Sequence, residues 1–142
     1  MRGEGEGALG TLARNSVTIN GGKVDNGPVY GADAYTTGIA TDNTVTINGG
    51  EVNSYHVCGA WVYGAATNNS VTINGGTVVG LVMGATGYGD ATNNSVTING
   101  GTVNGDIRGC YTPNGVPLVF FTRRHRGHGG EIPPCSPCLC VK

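Results

Sequence analysis

Asn15-Ser-Val-Thr-Ile-Asn-Gly-Gly22 is the stretch that decides the fold, because the chain repeats it, with one Ser-to-Thr change, three more times. The later copies begin at Asn43, Asn69 and Asn94, at offsets of 28, 26 and 25 residues. Downstream of each copy further positions match, namely Val24, Val52, Val78 and Val103, then Gly31, Gly59, Gly84 and Gly109. Self-similarity at a nearly constant period predicts a repeat architecture in which one small unit stacks on the next.

Within the unit, Ser-Val-Thr-Ile-Asn alternates polar and apolar side chains, which is the period of a half-buried strand. The Asn-Gly-Gly that follows favours a sharp corner. Two more short strands and a variable loop return the chain to the next Asn. One unit cannot bury its own apolar face, but stacked units can, with each strand pairing to its copies in the neighbouring coils. We therefore predict an all-β fold, a parallel β-helix (β-solenoid) of about four coils of 25–28 residues.

A meander of hairpins or a small propeller is the competing fold, because Asn-Gly between strands is also typical of β-hairpins. The solenoid is favoured because a stack of layers rewards identical side chains at one position of every repeat, and a hairpin model does not require them. The solenoid interior is then expected to hold two ladders, made of Val17, Val45, Val71 and Val96 and of Ile19, Ile47, Ile73 and Ile98.

Composition excludes several classes of protein. Glycine contributes 27 of 142 residues, charged residues only 12%, and the net charge is −1. A helical bundle needs more Lys, Glu, Arg and Leu, and a nucleic-acid binder needs a basic stripe. The longest apolar run, Val116–Phe121, is too short to span a membrane, and the polar start lacks the apolar core of a signal peptide.

The repeats divide the chain into three segments. Residues 1–14 are expected to be a flexible lead or a partial first coil. Residues 15–110 form the solenoid, with coils 15–42, 43–68, 69–93 and 94–110. Residues 111–142 lie outside the repeat and carry a basic excess; we expect a cap, with Leu118–Phe121 over the last coil, or a disordered tail, as from a frame change in a longer repeat gene.

The tail holds the only metal-ligating pattern. Cys-x-x-Cys with two nearby histidines can bind Zn²⁺ tetrahedrally, and the weak candidates are His125, His128, Cys135 and Cys138. The six-residue spacer between His128 and Cys135 contains two prolines, and no second Cys pair completes the spacing of a known zinc finger. We therefore predict no metal site and no cofactor.

Catalytic groups are scattered rather than paired. Carbohydrate-cleaving β-helices need clustered carboxylates, whereas Asp25 aligns with Asn53, Val79 and Asn104 in the other coils. We predict that the chain is not an enzyme. Of the cysteines in the repeats, Cys58 takes an outward-facing position after Val57, and Cys110 takes the inward position that alanine holds in the other coils.

The most regular surface feature is an uncharged polar face on the first strand of every coil. Its candidate binding residues are Thr18, Thr46, Thr72 and Thr97 with Asn20, Asn48, Asn74 and Asn99, joined by Trp61 and Tyr63 from the loops. Hydroxyls and amides can dock glycans or proteins, and exposed aromatics can stack on sugars. A regular threonine array can also order water, as in ice binding. The simplest alternative is that Thr favours strands and Asn favours corners.

The unit Asn-Asn-Ser-Val-Thr-Ile-Asn-Gly-Gly-Thr-Val, at residues 68–78 and 93–103, resembles the degenerate repeats of bacterial autotransporter and haemagglutinin-like passenger proteins. The resemblance implies a right-handed β-helix, a location outside the cell or on its surface, and roles in adhesion or self-association. We accordingly expect a structural or adhesive protein whose partners are surface glycans or host or neighbour-cell proteins, not nucleic acid. The alternatives are a scaffold that assembles end to end and, more remotely, an ice-binding protein or a polysaccharide-degrading enzyme.

Overall fold

The computed structural model describes residues 2–4, 10–35, 38–112 and 140–141, with side chains described for residues 10–35 and 38–112. Every regular element in these residues is a β-strand. In chain order they are β1 (Arg2–Glu4), β2 (Thr11–Ala13), β3 (Ser16–Ile19), β4 (Lys23–Asp25), β5 (Val29–Ala34), β6 (Ile39–Thr41), β7 (Thr44–Ile47), β8 (Glu51–Val62), β9 (Ala66–Thr67), β10 (Ser70–Ile73), β11 (Thr77–Gly87), β12 (Ala91–Thr92), β13 (Ser95–Ile98), β14 (Thr102–Asn104), β15 (Ile107–Tyr111) and β16 (Cys140–Val141).

The strands form three parallel sheets, and the sheets stack the chain into a β-solenoid of about four coils. This confirms the predicted fold class. We call the coil 1 end the lower end and the coil 4 end the upper end. Among the described residues, no helix is long and apolar enough to cross a membrane.

Sheet 1 contains the strands that the repeated motif predicts, in the order β16-β13-β10-β7-β3. The register is that of the sequence repeat: Val17 pairs with Val45, Val45 with Val71, and Val71 with Val96. Alternation buries Val and Ile and turns Ser, Thr and Asn outward. At the upper end, β16 pairs with Ser95 and Val96 of β13.

Sheet 2 contains β1, β4, β5, β8, β11, β14 and β15. In coils 1 and 4 the second and third predicted strands are separate, as β4 and β5 and as β14 and β15. In coils 2 and 3 they merge into the long strands β8 and β11, whose pairing shifts register between Val79 and Leu81. A bulge in β8, where Ser54 and Tyr55 lie opposite the single residue Gly80, therefore takes the place of a break between the two strands. At the lower end, β1 pairs with β5.

The prediction that a variable loop alone closes each coil is wrong, because a third sheet, sheet 3, lies at this place. The Ala-Thr segments before each repeat form the short strands β2, β6, β9 and β12, which pair in the order β12-β9-β6-β2. Ala40 and Ala66 are completely buried, while the threonines that follow them are half-exposed. These strands were not predicted because two or three residues are too few to show an alternating pattern.

The interior is divided into two columns of side chains. One column holds the Val and Ile ladders together with Val52, Val57, Val78 and Val82 of sheet 2. The other is lined mainly by alanine, including Ala32, Ala60 and Ala85. Gly59 lies between them: a Cβ on it would collide with the carbonyl oxygen of Gly84 and lie 2.7 Å from the Ser70 nitrogen. Only glycine allows the two sheets to approach this closely.

Candidate functional site: the polar face and its flanks

The candidate polar face is the outer surface of sheet 1, where four coils present the same side chains in register. Thr18 pairs with Thr46, Thr46 with Thr72, and Thr72 with Thr97. Thr18 is exposed and the other three are half-exposed. Coils in a parallel sheet are about 4.8 Å apart, and outward side chains of one strand are about 6.6 Å apart. The face is therefore a fixed lattice of hydroxyl groups.

The outer asparagines of this face bond to one another. Asn48 Nδ2 donates to Asn20 Oδ1 at 2.7 Å, Asn74 Nδ2 to Asn48 Oδ1 at 2.8 Å, and Asn99 Nδ2 to Asn74 Oδ1 at 2.8 Å. We call this column the outer amide ladder. All four residues are exposed. Because a carboxamide has two N–H groups and two acceptor sites, the ladder itself uses only half of that capacity in Asn48 and Asn74.

A second amide ladder, the inner one, is formed by Asn43, Asn69 and Asn94, which are buried. Asn15 continues it at the lower end, where it is half-exposed. Asn69 Oδ1 accepts from the backbone N of Asn43 at 3.0 Å and from its Nδ2 at 2.9 Å. Asn69 Nδ2 in turn donates to Asn94 Oδ1 at 3.0 Å and to the carbonyl of Ala40 at 3.1 Å. The ladder ties sheet 1 to the preceding sheet 3 strands.

Sequence reasoning missed the role of the inner ladder. The asparagine that opens each repeat is visible in the sequence, but it reads as a corner residue because Asn is common at corners. Its recurrence at every coil was the available signal. A corner needs only a residue that tolerates the backbone conformation, and the preceding position, Asp42, Asn68 or Asn93, is the one that takes positive φ.

Trp61, one of the predicted binding residues, is half-buried on the outer side of sheet 2. Its ring lies 5.7 Å from that of Tyr30 and 5.1 Å from that of His56, both tilted. Partial burial lowers the pKa of His56, so this neighbour is more readily neutral than an exposed histidine. Trp61 thus belongs to a small aromatic cluster and does not lie on the polar face.

Tyr63, the other predicted aromatic, packs against a partner in the next coil. Its ring is parallel to that of Tyr88, with an interplanar angle of 3° and a centroid distance of 4.6 Å. The two tyrosines are 42% and 45% exposed, and each ring has one face covered by the other. The offset of 25 residues between them equals that between Gly59 and Gly84, which is the signal that could have identified the pair.

Cys58 lies outside both interior columns, as its outward position predicts, but it is completely buried. It packs with Tyr30 and Met83 in a separate apolar cluster that Trp61 partly covers. Burial raises the pKa of the Cys58 thiol to about 12, so the thiol stays protonated at neutral pH. Alternation alone could not show this, because the covering side chains come from other coils. Cys110 is buried in the alanine-lined column, as predicted.

Three exposed charged side chains of the lower coils form one small network on sheet 2. Lys23 Nζ lies 3.3 Å from Asp25 and 3.8 Å from Glu51. Asn53 Nδ2 donates to Asp25 at 2.9 Å and to Glu51 at 2.7 Å. The hydrogen bond from Asn53 is the main cause that lowers the pKa of Asp25, and the hydrogen bond to Asp25 is the main cause that raises the pKa of Lys23. The network lies on a different face from the hydroxyl lattice.

The weak metal candidates His125, His128, Cys135 and Cys138 lie outside the described residues, as does the predicted cover Leu118–Phe121. Within residues 10–35 and 38–112, no group of three or more His, Cys, Asp or Glu side chains is placed to hold a metal ion.

Comparison with protein-family models, characterised proteins and solved structures finds no match to this chain.

Proposed function

We propose that this chain is a non-enzymatic, structural or adhesive β-solenoid of the autotransporter passenger type, and that the polar face of sheet 1 binds surface glycans or proteins outside the cell. The observation that supports this most is the in-register array of Thr hydroxyls and Asn amides across four coils. Sheet pairing holds these groups in place, so a ligand would lose less free energy in ordering them than it would on a flexible loop.

The face suits weak, repeated contacts. It is uncharged, and its outer amides keep hydrogen-bonding capacity beyond the ladder. A linear glycan or an extended peptide that runs along the solenoid axis meets the same groups about every 4.8 Å. Several weak contacts made at once give a much higher overall affinity than one alone.

The aromatic flank is expected to contribute less. Trp61 contacts Tyr30 and His56, and Tyr63 contacts Tyr88, so ring faces that a sugar would need are already partly covered. Stacking on a sugar requires an open face. We therefore assign ligand binding first to the hydroxyl lattice.

A glycan array probed with the fluorescently labelled full chain tests this assignment. Thr46→Lys combined with Thr72→Lys places two long, charged side chains in the middle of the lattice, and we expect it to weaken binding at least tenfold. The control is Thr77→Lys, the same substitution at a half-exposed threonine of sheet 2. An array without binding contradicts the glycan version, and equal losses in both variants contradict the assignment to sheet 1.

Ice binding is a second candidate, favoured by one observation: two neighbouring columns of hydroxyl groups, Ser16 with Thr44, Ser70 and Ser95 beside the Thr18 column, lie in register. Such a lattice can hold water at regular positions. Thermal hysteresis of the full chain, reduced in the Thr46→Lys and Thr72→Lys variant, would support this function. A chain without thermal hysteresis rules it out.

A further inference from the structure

The two ends of the solenoid carry the same sequence. Ser16–Gly22 on the lower edge and Ser95–Gly101 in the uppermost coil are both Ser-Val-Thr-Ile-Asn-Gly-Gly. The lower edges of β3 and β4 pair with no other strand in the described residues, and the same holds for the upper edge of β14. Strand β16 covers only Ser95 and Val96 of β13, leaving Thr97 and Ile98 open among the described strands. An unpaired strand edge is a template for further pairing.

The hydrogen bonds of the two amide ladders run in opposite directions along the solenoid axis. Each ladder therefore ends in a donor at one end of the solenoid and in an acceptor at the other. In the outer ladder Asn48, Asn74 and Asn99 each donate to the asparagine below, so a copy stacked above would direct Asn20 Nδ2 at Asn99 Oδ1. In the inner ladder donation is upward, so Asn94 would direct its backbone N–H and its Nδ2 at Asn15 Oδ1 of the same stacked copy. Both ladders continue only when the upper end of one copy meets the lower end of another.

The side chains beside the ladders fit the same junction. In the chain, Asn53 Nδ2 donates to Asp25 of the coil below at 2.9 Å. In a stacked copy Asp25 would lie above Asn104, because residues 25, 53, 79 and 104 form one column. An amide–carboxylate hydrogen bond can form there too, with Asn104 Nδ2 donating upward to Asp25, the reverse of the direction between Asn53 and Asp25. Lys23 would lie above Thr102, so no like charges meet in these columns.

We propose that a second copy of this chain docks head to tail, with its β3 and β4 continuing sheets 1 and 2 above β13 and β14. Its β3 pairs along the whole of β13, taking the place that β16 holds on two residues. Likewise β15 of the lower copy takes the place that β1 holds beneath β5 of the upper copy. Each copy adds about 19 Å of height, which is four coils at about 4.8 Å. A head-to-tail contact of this kind does not close on itself, so it produces open, linear oligomers. The association does not depend on ligand binding by the polar face.

Gly21 provides a sharp test of the junction. A Cβ at Gly21 meets nothing within 4 Å, whereas at the same position of the upper coils a Cβ lies 2.8 Å from Asn48 O at Gly75 and 2.7 Å from Asn74 O at Gly100. A side chain at Gly21 therefore points out of the lower end. It is tolerated in a single copy but collides with Asn99 of a copy stacked beneath it. Gly21→Leu blocks the lower end and leaves the upper end unchanged.

Sedimentation velocity of the full chain from micromolar to millimolar concentration is the measurement. We expect species at multiples of 14.4 kDa for the natural sequence, and a monomer for Gly21→Leu. Thr77→Lys, in the middle of the stack and outside the polar face, is the control and should associate as the natural sequence does. When tagged Gly21→Leu is mixed with the natural chain, each oligomer should contain at most one tagged copy, and that copy should lie at its lower end.

Three results overturn the proposal. One is a natural chain that stays monomeric over the whole range, and another is a Gly21→Leu variant that associates normally. The third is oligomers that contain several tagged copies, which would require contacts other than head to tail. A second variant tests the same junction: Asn104→Asp places a carboxylate opposite Asp25 of the stacked copy. It should weaken association most at low salt, because added salt screens exposed charges.

Discussion

Removing one amide from the inner ladder should be far more destabilising than removing one from the outer ladder. The two substitutions are Asn69→Ala and Asn74→Ala, which lie five residues apart in one coil. Asn69 is completely buried and makes four side-chain hydrogen bonds. Asn74 is exposed and makes two, at 2.8 Å each. The residue type and the coil are the same, so burial is the main difference.

The magnitude follows from the groups left behind. Asn69→Ala deprives the backbone N–H and one Nδ2 hydrogen of Asn43 of their acceptor, in a place without access to solvent. A buried donor without a partner costs about 1–3 kcal/mol, so the two cost roughly 2–6 kcal/mol. Asn74→Ala exposes its former partners to water, which replaces the lost bonds, and the expected loss is below about 1 kcal/mol.

Urea denaturation followed by far-ultraviolet circular dichroism measures the difference. With a slope of about 2 kcal/mol per molar urea, Asn69→Ala should lower the unfolding midpoint by roughly 1–3 M, and Asn74→Ala by less than about 0.5 M. Equal midpoints for the two variants would refute the reasoning, because the burial of the inner ladder would then carry no energetic weight.

Three further outcomes are expected. Gly59→Ala should reduce the free energy of unfolding by about 3 kcal/mol or more, since its Cβ would collide with two backbone atoms. Gly27→Ala, whose Cβ meets nothing within 4 Å, is the control and should change it little. Similar thermal melts for the two variants would contradict this. Arg14→Asn should stabilise the chain by about 0.5–1 kcal/mol, because Arg14 takes a φ of 58° that asparagine adopts more readily; an unchanged urea midpoint would count against it. Cys58 is buried, so it should resist maleimide at pH 8 until the chain unfolds, as peptide mapping would show. Because the thiol loses its proton more readily in the unfolded chain, the free energy of unfolding should fall as the pH rises from the ordinary thiol pKa of 9 towards about 12, as urea titrations at alkaline pH would show.

The architecture could be predicted from the sequence to the extent that one coil repeats the next. The register of sheet 1 and the outward Thr and Asn columns follow directly from the repeated motif and its period of two. The Ala-Thr strands of sheet 3 could not be predicted, because two residues show no period. The burial of Cys58 could not be predicted either, since Tyr30 and Met83 reach it from neighbouring coils.

Less of the candidate site than of the fold could be predicted from the sequence. The hydroxyl columns were predictable from alternation, but the contacts of Trp61 with Tyr30 and His56 were not. Tyr30 comes from the coil below, and His56 lies five positions before Trp61 on the same strand, where strict alternation would put it on the opposite face. The inner ladder was hidden for a related reason. An asparagine at a corner and an asparagine buried among backbone carbonyls look the same in a sequence, and only the packing of sheet 3 against sheet 1 distinguishes them.

The direction of the sheet hydrogen bonds has a mechanical consequence. These bonds run from coil to coil along the solenoid axis, for example from Thr44 N to Asn15 O and from Ser70 N to Asn43 O, both at 2.9 Å. Tension applied along that axis to the two ends therefore loads the outermost coil first and peels it away before the next coil yields. Each event releases one coil, and a coil of 25 residues extends to about 85 Å. Under force the protein should behave as a stepwise extensible tether, lengthening by about one coil at a time.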